Sequence, residues 1–332
     1  MITDWAGKKV LVCGGAGMIG SHMAKRLVHE GADVTLADDL SSGSERNITD
    51  IKNQLDFRLL DLRDYGRCRS VAENKDCIFQ FAADMGGIGY ITAVGADIMR
   101  NSVSINLNML QAAQQCGVTE YFYSSSACVY PEYLQTEAEV SPLKEADAYP
   151  AQPDQFYGWE KLFSELLAEA YQRDYGMTIH MARFHNIYGS MYTCFDQAKG
   201  KAPCHLILKA IRHPDPPFIV WGDGMATRSF LYIDDCVEAV LRLMGTDYYS
   251  PLNIGSDRLI SVDGLARLII GISGKQIDIQ HDTTKPQGVR GRNADLQLAE
   301  QILKWRPQVS LEDGLEHVYA WAVDHFDDLE GI

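Results

Sequence analysis

The chain has 332 residues, enough to bury a full core and to divide into two lobes. Its 30 basic residues face 45 acidic ones, and the formal net charge of -15 excludes nonspecific attraction to nucleic acid or to an anionic membrane surface. Eight cysteines are scattered without a CxxC pair or a His/Cys cluster at zinc spacing. Reduced thiols in a cytoplasmic protein are therefore expected, with no disulfide framework and no metal site. No signal-peptide core and no bilayer-length apolar run is present, so no membrane contact is expected.

Val10-Leu11-Val12-Cys13 is a short apolar run of the kind that forms a buried parallel strand. Gly14-Gly15-Ala16-Gly17-Met18-Ile19-Gly20 follows, then a helical pattern over residues 21–30 and a second strand over residues 33–37. Glycines 14, 17 and 20 fit a variant of the dinucleotide fingerprint. Glycine there permits a tight turn, close approach of backbone to pyrophosphate, and close packing of helix on strand. Gly14, Gly17, Met18, Ile19 and Gly20 are the candidate phosphate contacts. Asp38 ends the second strand, where it can accept hydrogen bonds from ribose hydroxyls. With Asp39 it would repel a 2′-phosphate, so NAD is expected rather than NADP, although Asp39 reads equally well as a solvated loop residue.

Residues 57–60 read as a strand that ends at Asp61-Leu62, a candidate adenine contact. Residues 77–83 read as another buried strand, with Ala82 a candidate cofactor contact near its end. The loop Asp84-Met85-Gly86-Gly87-Ile88-Gly89-Tyr90 follows, and Gly87 there lets backbone approach a substrate or simply makes a turn. Residues 102–115 read as a long helix.

The strand beginning Tyr121-Phe122-Tyr123 delivers Ser124-Ser125-Ser126 and then Cys128. On an extended strand, a thiol two residues beyond Ser126 faces the same side. Tyr157 and Lys161 lie at i and i+4, on one helix face. An ammonium beside a phenol lowers the phenol pKa, so Tyr157 is expected to serve as a base, with Ser126 relaying to a substrate alcohol. A free cysteine is usually a small buried hydrophobe, but the place of Cys128 beside this group marks it as an extra acid/base residue.

The helix of Tyr157 continues with Leu162, Leu166, Leu167 and Ala170, a buried stripe, and residues 178–183 form a strand. Residues 190–203 form a Gly- and Lys-containing loop, expected to fold over a substrate. A helix over 204–212, a strand over 218–221 and a helix ending at Met244 follow. The expected fold class is α/β: a Rossmann doubly wound parallel sheet with a smaller C-terminal α/β substrate lobe. Residues 1–183 are assigned to the NAD-binding domain, with segments such as 230–250 returning to it, and residues 184–332 mainly to the substrate lobe. Lys201, Lys209, Arg228, Arg290 and Arg292 are the expected diphosphate partners on this acidic chain. His185 is expected to be a satisfied buried histidine.

The glycine pattern, Asp38, the serine triplet and Tyr157-x-x-x-Lys161 together resemble the extended short-chain dehydrogenase/reductase family, in the group that acts on nucleotide sugars. Longer stretches are similar to the GDP-mannose 3,5-epimerase family. They include Ser125-Ser126-Ala127-Cys128-Val129-Tyr130-Pro131-Glu132, Phe184-His185-Asn186-Ile187-Tyr188-Gly189, Lys201-Ala202-Pro203 and Gly288-Val289-Arg290-Gly291-Arg292-Asn293. The resemblance implies tightly bound NAD, a nucleotide diphosphate sugar with GDP-mannose favoured, transient oxidation at C4, and proton exchange at C3 and C5. Cys128 and Lys201 take the acid/base roles by resemblance, with Lys199 the alternative to Lys201. Gly87, Ser126, Asn186, Lys201, Lys209, Arg228, Arg290 and Tyr319 become the substrate contacts, and a homodimer through the helices following Asn101 and Tyr157 is implied. A 4-epimerase would use the same Tyr/Lys pair without the thiol. A 4,6-dehydratase would carry an Asp-Glu pair where Ala127-Cys128 stands. A non-catalytic NAD sensor could dispense with Tyr157 and Lys161.

Overall fold

The computed structural model describes residues 4–196 and 199–329; residues 197 and 198 of the expected substrate loop lie outside that set. Seven parallel strands make the central sheet: β1 (Lys9–Cys13), β2 (Asp33–Asp38), β3 (Asp56–Leu59), β4 (Cys77–Gln80), β5 (Glu120–Ser126), β6 (Thr178–Phe184) and β11 (Leu252–Ile254). Their order is β11-β6-β5-β4-β1-β2-β3, so the chain reverses direction across the sheet between β1 and β4. In open sheets of this kind the crevice at that reversal, outside the carboxyl ends of the strands, is where ligands bind.

The apolar runs follow from burial on both faces. Val10, Val12 and Phe79 enter one core, while Leu11, Cys13 and Ile78 enter the other. A strand covered on both sides has no need of polar alternation. One face is covered by α1 (Met18–His29) and α7 (Ile233–Met244), which pack on each other. The opposite face is covered by α2 (Tyr65–Ala72), α4 (Gly95–Gln115) and α5 (Gln155–Tyr175). Because α7 and β11 belong to this layer, the chain returns to the central sheet after residue 230.

Short strands build the remaining part. β7 (Ile187–Tyr188) pairs with β10 (Leu231–Tyr232), and β8 (Ile219–Trp221) with β13 (Gln280–Asp282). β9 (Thr227–Arg228) lies between β12 (Ile260–Ser261) and β14 (Gly291–Arg292). The other helices are α3 (Ile88–Ala93), α6 (Ala202–Arg212), α8 (Val262–Ser273), α9 (Gln297–Leu303), α10 (Leu311–Asp324) and α11 (Phe326–Leu329). No described helix is long and apolar enough to cross a membrane.

Several boundaries differ from expectation by one or two residues, and three differ in ways that bear on the site. α1 begins at Met18, inside the glycine motif, because Gly17 is already its N-cap. α4 begins seven residues before the expected start; in that added part Ile98 is the one fully buried side chain, too little to register as a period. β4 stops at Gln80, and Phe81 keeps a hydrogen bond to the Cys13 carbonyl while the chain leaves the sheet.

Candidate active site

The β1–α1 turn is closed by sterics. Gly14 has φ +70, and a Cβ added there would stand 2.8 Å from the Ala82 nitrogen. A Cβ added at Gly20 would stand 2.1 Å from the Gly14 carbonyl oxygen. Glycine is required at both positions. No side chain caps α1 at Gly17, so its first-turn N–H groups are left to an anion. The side chain of Met18 turns toward the 190s loop, its Sδ 3.1 Å from Cys194 Sγ.

Asp38 is buried at the end of β2, with Oδ2 accepting from the Ala16 N–H at 2.9 Å and Oδ1 from the Leu40 N–H at 2.8 Å. Burial raises its pKa against those two bonds, and Asp39 adds to the rise. A glycine-walled helix N-terminus beside a buried carboxylate at the second strand fits NAD. Asp61, by contrast, grips Arg63 with both oxygens at 2.7 to 3.0 Å, which lowers its pKa. Leu62 packs into the core beneath α2 and α4.

Tyr157 and Lys161 are both buried on α5. Lys161 Nζ donates to the Ser124 carbonyl at 3.0 Å and lies 5.6 Å from the centre of the Tyr157 ring. The Ser126 hydroxyl bonds to Tyr157 and accepts from the Cys128 N–H at 3.2 Å. The expected fall in the Tyr157 pKa does not occur. Burial holds the phenol well above its ordinary value, with Cys128, Glu160 and Asp154 acting the same way, and only the Ser126 bond opposes them. The Lys161 ammonium is directed instead at the Ser124 carbonyl, and Glu160 and Glu165 favour its charge. Burial lowers its own pKa. Behind it, Asn106 Nδ2 donates to Glu160 Oε1 at 2.7 Å and to Ser164 Oγ at 3.1 Å, locking α4 against α5.

The placement of Cys128 also needs correction. β5 ends at Ser126, and Ala127–Val129 forms a 3-10 turn capped by the Ser126 side chain. The thiol is aimed by that turn and not by strand alternation. Its Sγ lies 3.2 Å from Arg292 Nη1. Burial raises the thiol pKa and Asp154 raises it further, while Arg292 and Ser126 lower it.

Lys201 is the N-cap of α6, with Pro203 in the first turn. Burial lowers its pKa, against the thiols of Cys194, Cys128, Cys204 and Cys236. Lys201 and Cys128 thus lie within electrostatic reach of one another. The backbone ahead of Lys201 folds onto the glycine loop, with the Gly87 N–H donating to the Lys199 carbonyl at 3.0 Å. A Cβ added at Gly87 would stand 2.6 Å from the Gly200 oxygen. Lys199 itself donates to the Ser41 carbonyl at 3.3 Å and sits 4.9 Å from the centre of the Tyr90 ring.

The remaining expected residues divide. Arg228 joins the group around Cys128, since Arg292, Asp154 and Cys128 all act on its charge, and burial lowers its pKa to about 10. Asn186, at φ +44, donates from Nδ2 to the Ser229 carbonyl at 2.8 Å. Lys209 is taken up by the Ile219 carbonyl. Arg290 is held at the surface by Asp223, 2.8 Å to each carboxylate oxygen. Tyr319 lies on α10, packed against the larger core. His185 is fully buried, its Nε2 paired with Asn253 Oδ1 at 2.9 Å, and burial lowers its pKa to about 3.

Arg292 is not free for a diphosphate. Its guanidinium is bound to Cys128, to Asp154 Oδ2 at 2.6 Å and to Gln135 Oε1 at 2.5 Å. Asp154 and Gln135 escaped the sequence reading. Asp154 carried one usable signal, a carboxylate three residues ahead of Tyr157 at a helix start. In the structure it stands at the N-cap of α5 but makes no capping bond, because Arg292 takes its carboxylate.

A bare helix N-terminus at the carboxyl end of β1 and a buried phenol with its ammonium at that of β5 define an NAD-dependent enzyme of the extended short-chain dehydrogenase/reductase class. The profile of the NAD dependent epimerase/dehydratase family matches residues 10–255. The chain belongs to that family and is an NAD-dependent nucleotide-sugar epimerase. GDP-mannose 3,5-epimerase 1 of Oryza sativa subsp. indica is 43% identical over 319 residues, 96% of this chain and 82% of that protein. GDP-mannose 3,5-epimerase of Arabidopsis thaliana is 42% identical over 313 residues, 94% of this chain and 81% of that protein. The solved structure of UDP-glucose 4-epimerase with UDP-glucose from Thermotoga maritima matches with a TM-score of 0.87 at 25% identity, covering 96% of this chain and 99% of that one.

Proposed function

We propose that this chain is a GDP-mannose 3,5-epimerase, converting GDP-D-mannose to GDP-L-galactose, GDP-L-gulose or both. Residues 1–183 hold mainly the cofactor and residues 184–332 mainly the sugar nucleotide. The observation that carries the reading is that Cys128 and Lys201, two acid/base groups a 4-epimerase has no need of, share the neighbourhood of Ser126 and Tyr157. The 42–43% identity to the plant epimerases supports it.

Bound NAD supplies the hydride acceptor and donor for C4. Ser126 orients the C4 hydroxyl and Tyr157 exchanges its proton, while Lys161 fixes the helix register that brings them together. A ketone at C4 acidifies the hydrogens on C3 and C5, both α to the carbonyl. Lys201, with its lowered pKa, has the larger neutral fraction and takes a proton. Cys128, with its raised pKa, starts as the thiol and returns one to the opposite face. Delivery to the opposite face inverts the carbon.

The same reading includes a homodimer through α4 and α5. Phe156, Trp159, Phe163 and Leu166 are exposed at helical spacing along α5, with Leu107 exposed on α4. An apolar stripe of this kind marks a partner surface. Leu166, expected in the buried stripe, is an outer residue, and of that expected stripe only Leu162 is fully buried.

Proton NMR of GDP-mannose incubated with the protein in deuterated water, without added cofactor, tests the function. Signal loss at both C3 and C5 with new sugar products is expected. Exchange at C5 alone would make this a single-site epimerase. No exchange with any nucleotide sugar would sink the Cys128 and Lys201 assignment.

A further inference from the structure

Arg292 is 6% exposed, at the end of β14, and its guanidinium is held from three sides. Gln135 is itself anchored, its Nε2 donating to the Tyr130 and Pro131 carbonyls at 3.1 and 3.0 Å. The guanidinium therefore has no freedom to swing away from the thiol. Asp154 Oδ1 has no hydrogen-bond partner among the described residues, so Arg292 is what compensates that buried carboxylate.

We propose that Arg292 and Asp154 form a charge clamp on Cys128. Arg292 is a positioning residue that stabilises the thiolate, and Asp154 opposes it so that the thiol is restored. The proposal rests on the acid/base role given to Cys128 above. When Cys128 protonates the carbon beside the ketone, its S–H bond breaks, the enolate's electron pair forms the new C–H bond, and sulfur keeps its own pair. The guanidinium 3.2 Å away receives that charge through an N–H to sulfur bond. Proton removal by the thiolate reverses the step, and no electron leaves the pair.

The charged and titratable groups around the sulfur come from four elements. They are Arg292 on β14, Arg228 on β9, Lys201 at the start of α6, and Asp154, Tyr157 and Lys161 on α5. The Ser126 hydroxyl also touches the sulfur, but it carries no charge.

The test is iodoacetamide alkylation of the full chain, followed at the Cys128 peptide by mass spectrometry from about pH 6 to about pH 10. The alkylation midpoint should rise by about 1 to 3 units in Arg292→Gln and should fall in Asp154→Asn. Arg292→Lys keeps the charge and should lie between wild type and Arg292→Gln. Deuterium exchange into the sugar ring near neutrality should drop, by at most about tenfold per unit of upward shift. Loosened packing would move both variants the same way, so shifts of one sign overturn the proposal. An unmoved midpoint in folded Arg292→Gln also overturns it. Thermal melting checks folding, and if Arg292→Gln does not fold, Arg292→Lys and Asp154→Asn decide the question between them. A wild type that exchanges no ring hydrogen would defeat the acid/base role of Cys128, whereas the alkylation profile, read without sugar, tests the clamp itself.

Discussion

Lys161 Nζ donates to the Ser124 carbonyl at 3.0 Å, which ties the helix carrying Tyr157 to the strand carrying Ser126. Lys161→Met keeps most of the volume but removes the cation and its bond to the Ser124 carbonyl. Turnover should fall by about 10² to 10⁴. Stability should fall by about 1–3 kcal/mol. Steady-state kinetics and urea unfolding measure the two effects, and a variant with wild-type turnover would remove Lys161 from the machinery.

Gly14→Ala meets two obstacles at once, a φ of +70 and a Cβ 2.8 Å from the Ala82 nitrogen. The turn and the end of β4 must part. A loss of about 1–3 kcal/mol is expected. The NAD retained through purification, measured by absorbance after denaturation, should fall as well. Gly117→Ala is the control: φ is +71 there, but an added Cβ meets nothing within 4 Å. It should keep its NAD, and equal NAD loss in the two variants would contradict the cradle.

Glu165 and Arg183 pair at 2.7 Å with side chains only 2% and 3% exposed, and Ser125 also donates to the carboxylate. Glu165→Ala strands a buried guanidinium and should cost about 3–5 kcal/mol in urea unfolding. Replacing both partners by leucine should cost less than this single change, because no uncompensated charge remains. A double variant less stable than Glu165→Ala would show that the pair contributes more than its charge balance.

His185 makes stability depend on pH. Its pKa is about 3 in the folded chain against an ordinary 6.5, so between those values the unfolded chain binds a proton that the folded chain refuses. Its contribution is fully present above the ordinary value and is lost as pH falls toward about 3, at about 1.4 kcal/mol per unit. From the ordinary value down to about pH 5 that amounts to roughly 2 kcal/mol. His185→Gln keeps a donor for Asn253 Oδ1 and should flatten the loss. Urea unfolding at about pH 7 and about pH 5 compares the two proteins, and equal losses would assign the dependence to other groups.

The cofactor half was legible because its causes are local. Gly20 is required by a contact with Gly14 inside one strand–turn–helix unit and Gly14 by its left-handed φ in that turn, although the Ala82 backbone that also crowds Gly14 is a tertiary neighbour. β1 reads as apolar because both its faces are covered. The spacing of Tyr157 and Lys161 is a property of any helix. The larger basic residues were visible as charges, but nothing near them in the chain says which partner they meet.

Sequence by itself determined the fold class, the nucleotide crevice and the identity of the phenol, ammonium, hydroxyl and thiol. Tertiary structure alone decided how those groups are charged and aimed. The thiol turns off its strand because Ser126 caps a 3-10 turn, and it meets a guanidinium 164 residues further along the chain. That guanidinium takes the carboxylate of Asp154, 138 residues away, from its helix. Protonation responds to desolvation and to every charge within a few ångströms, and packing alone brings those together, so the burial that overrides Lys161 at Tyr157 has no trace in a spacing of four residues.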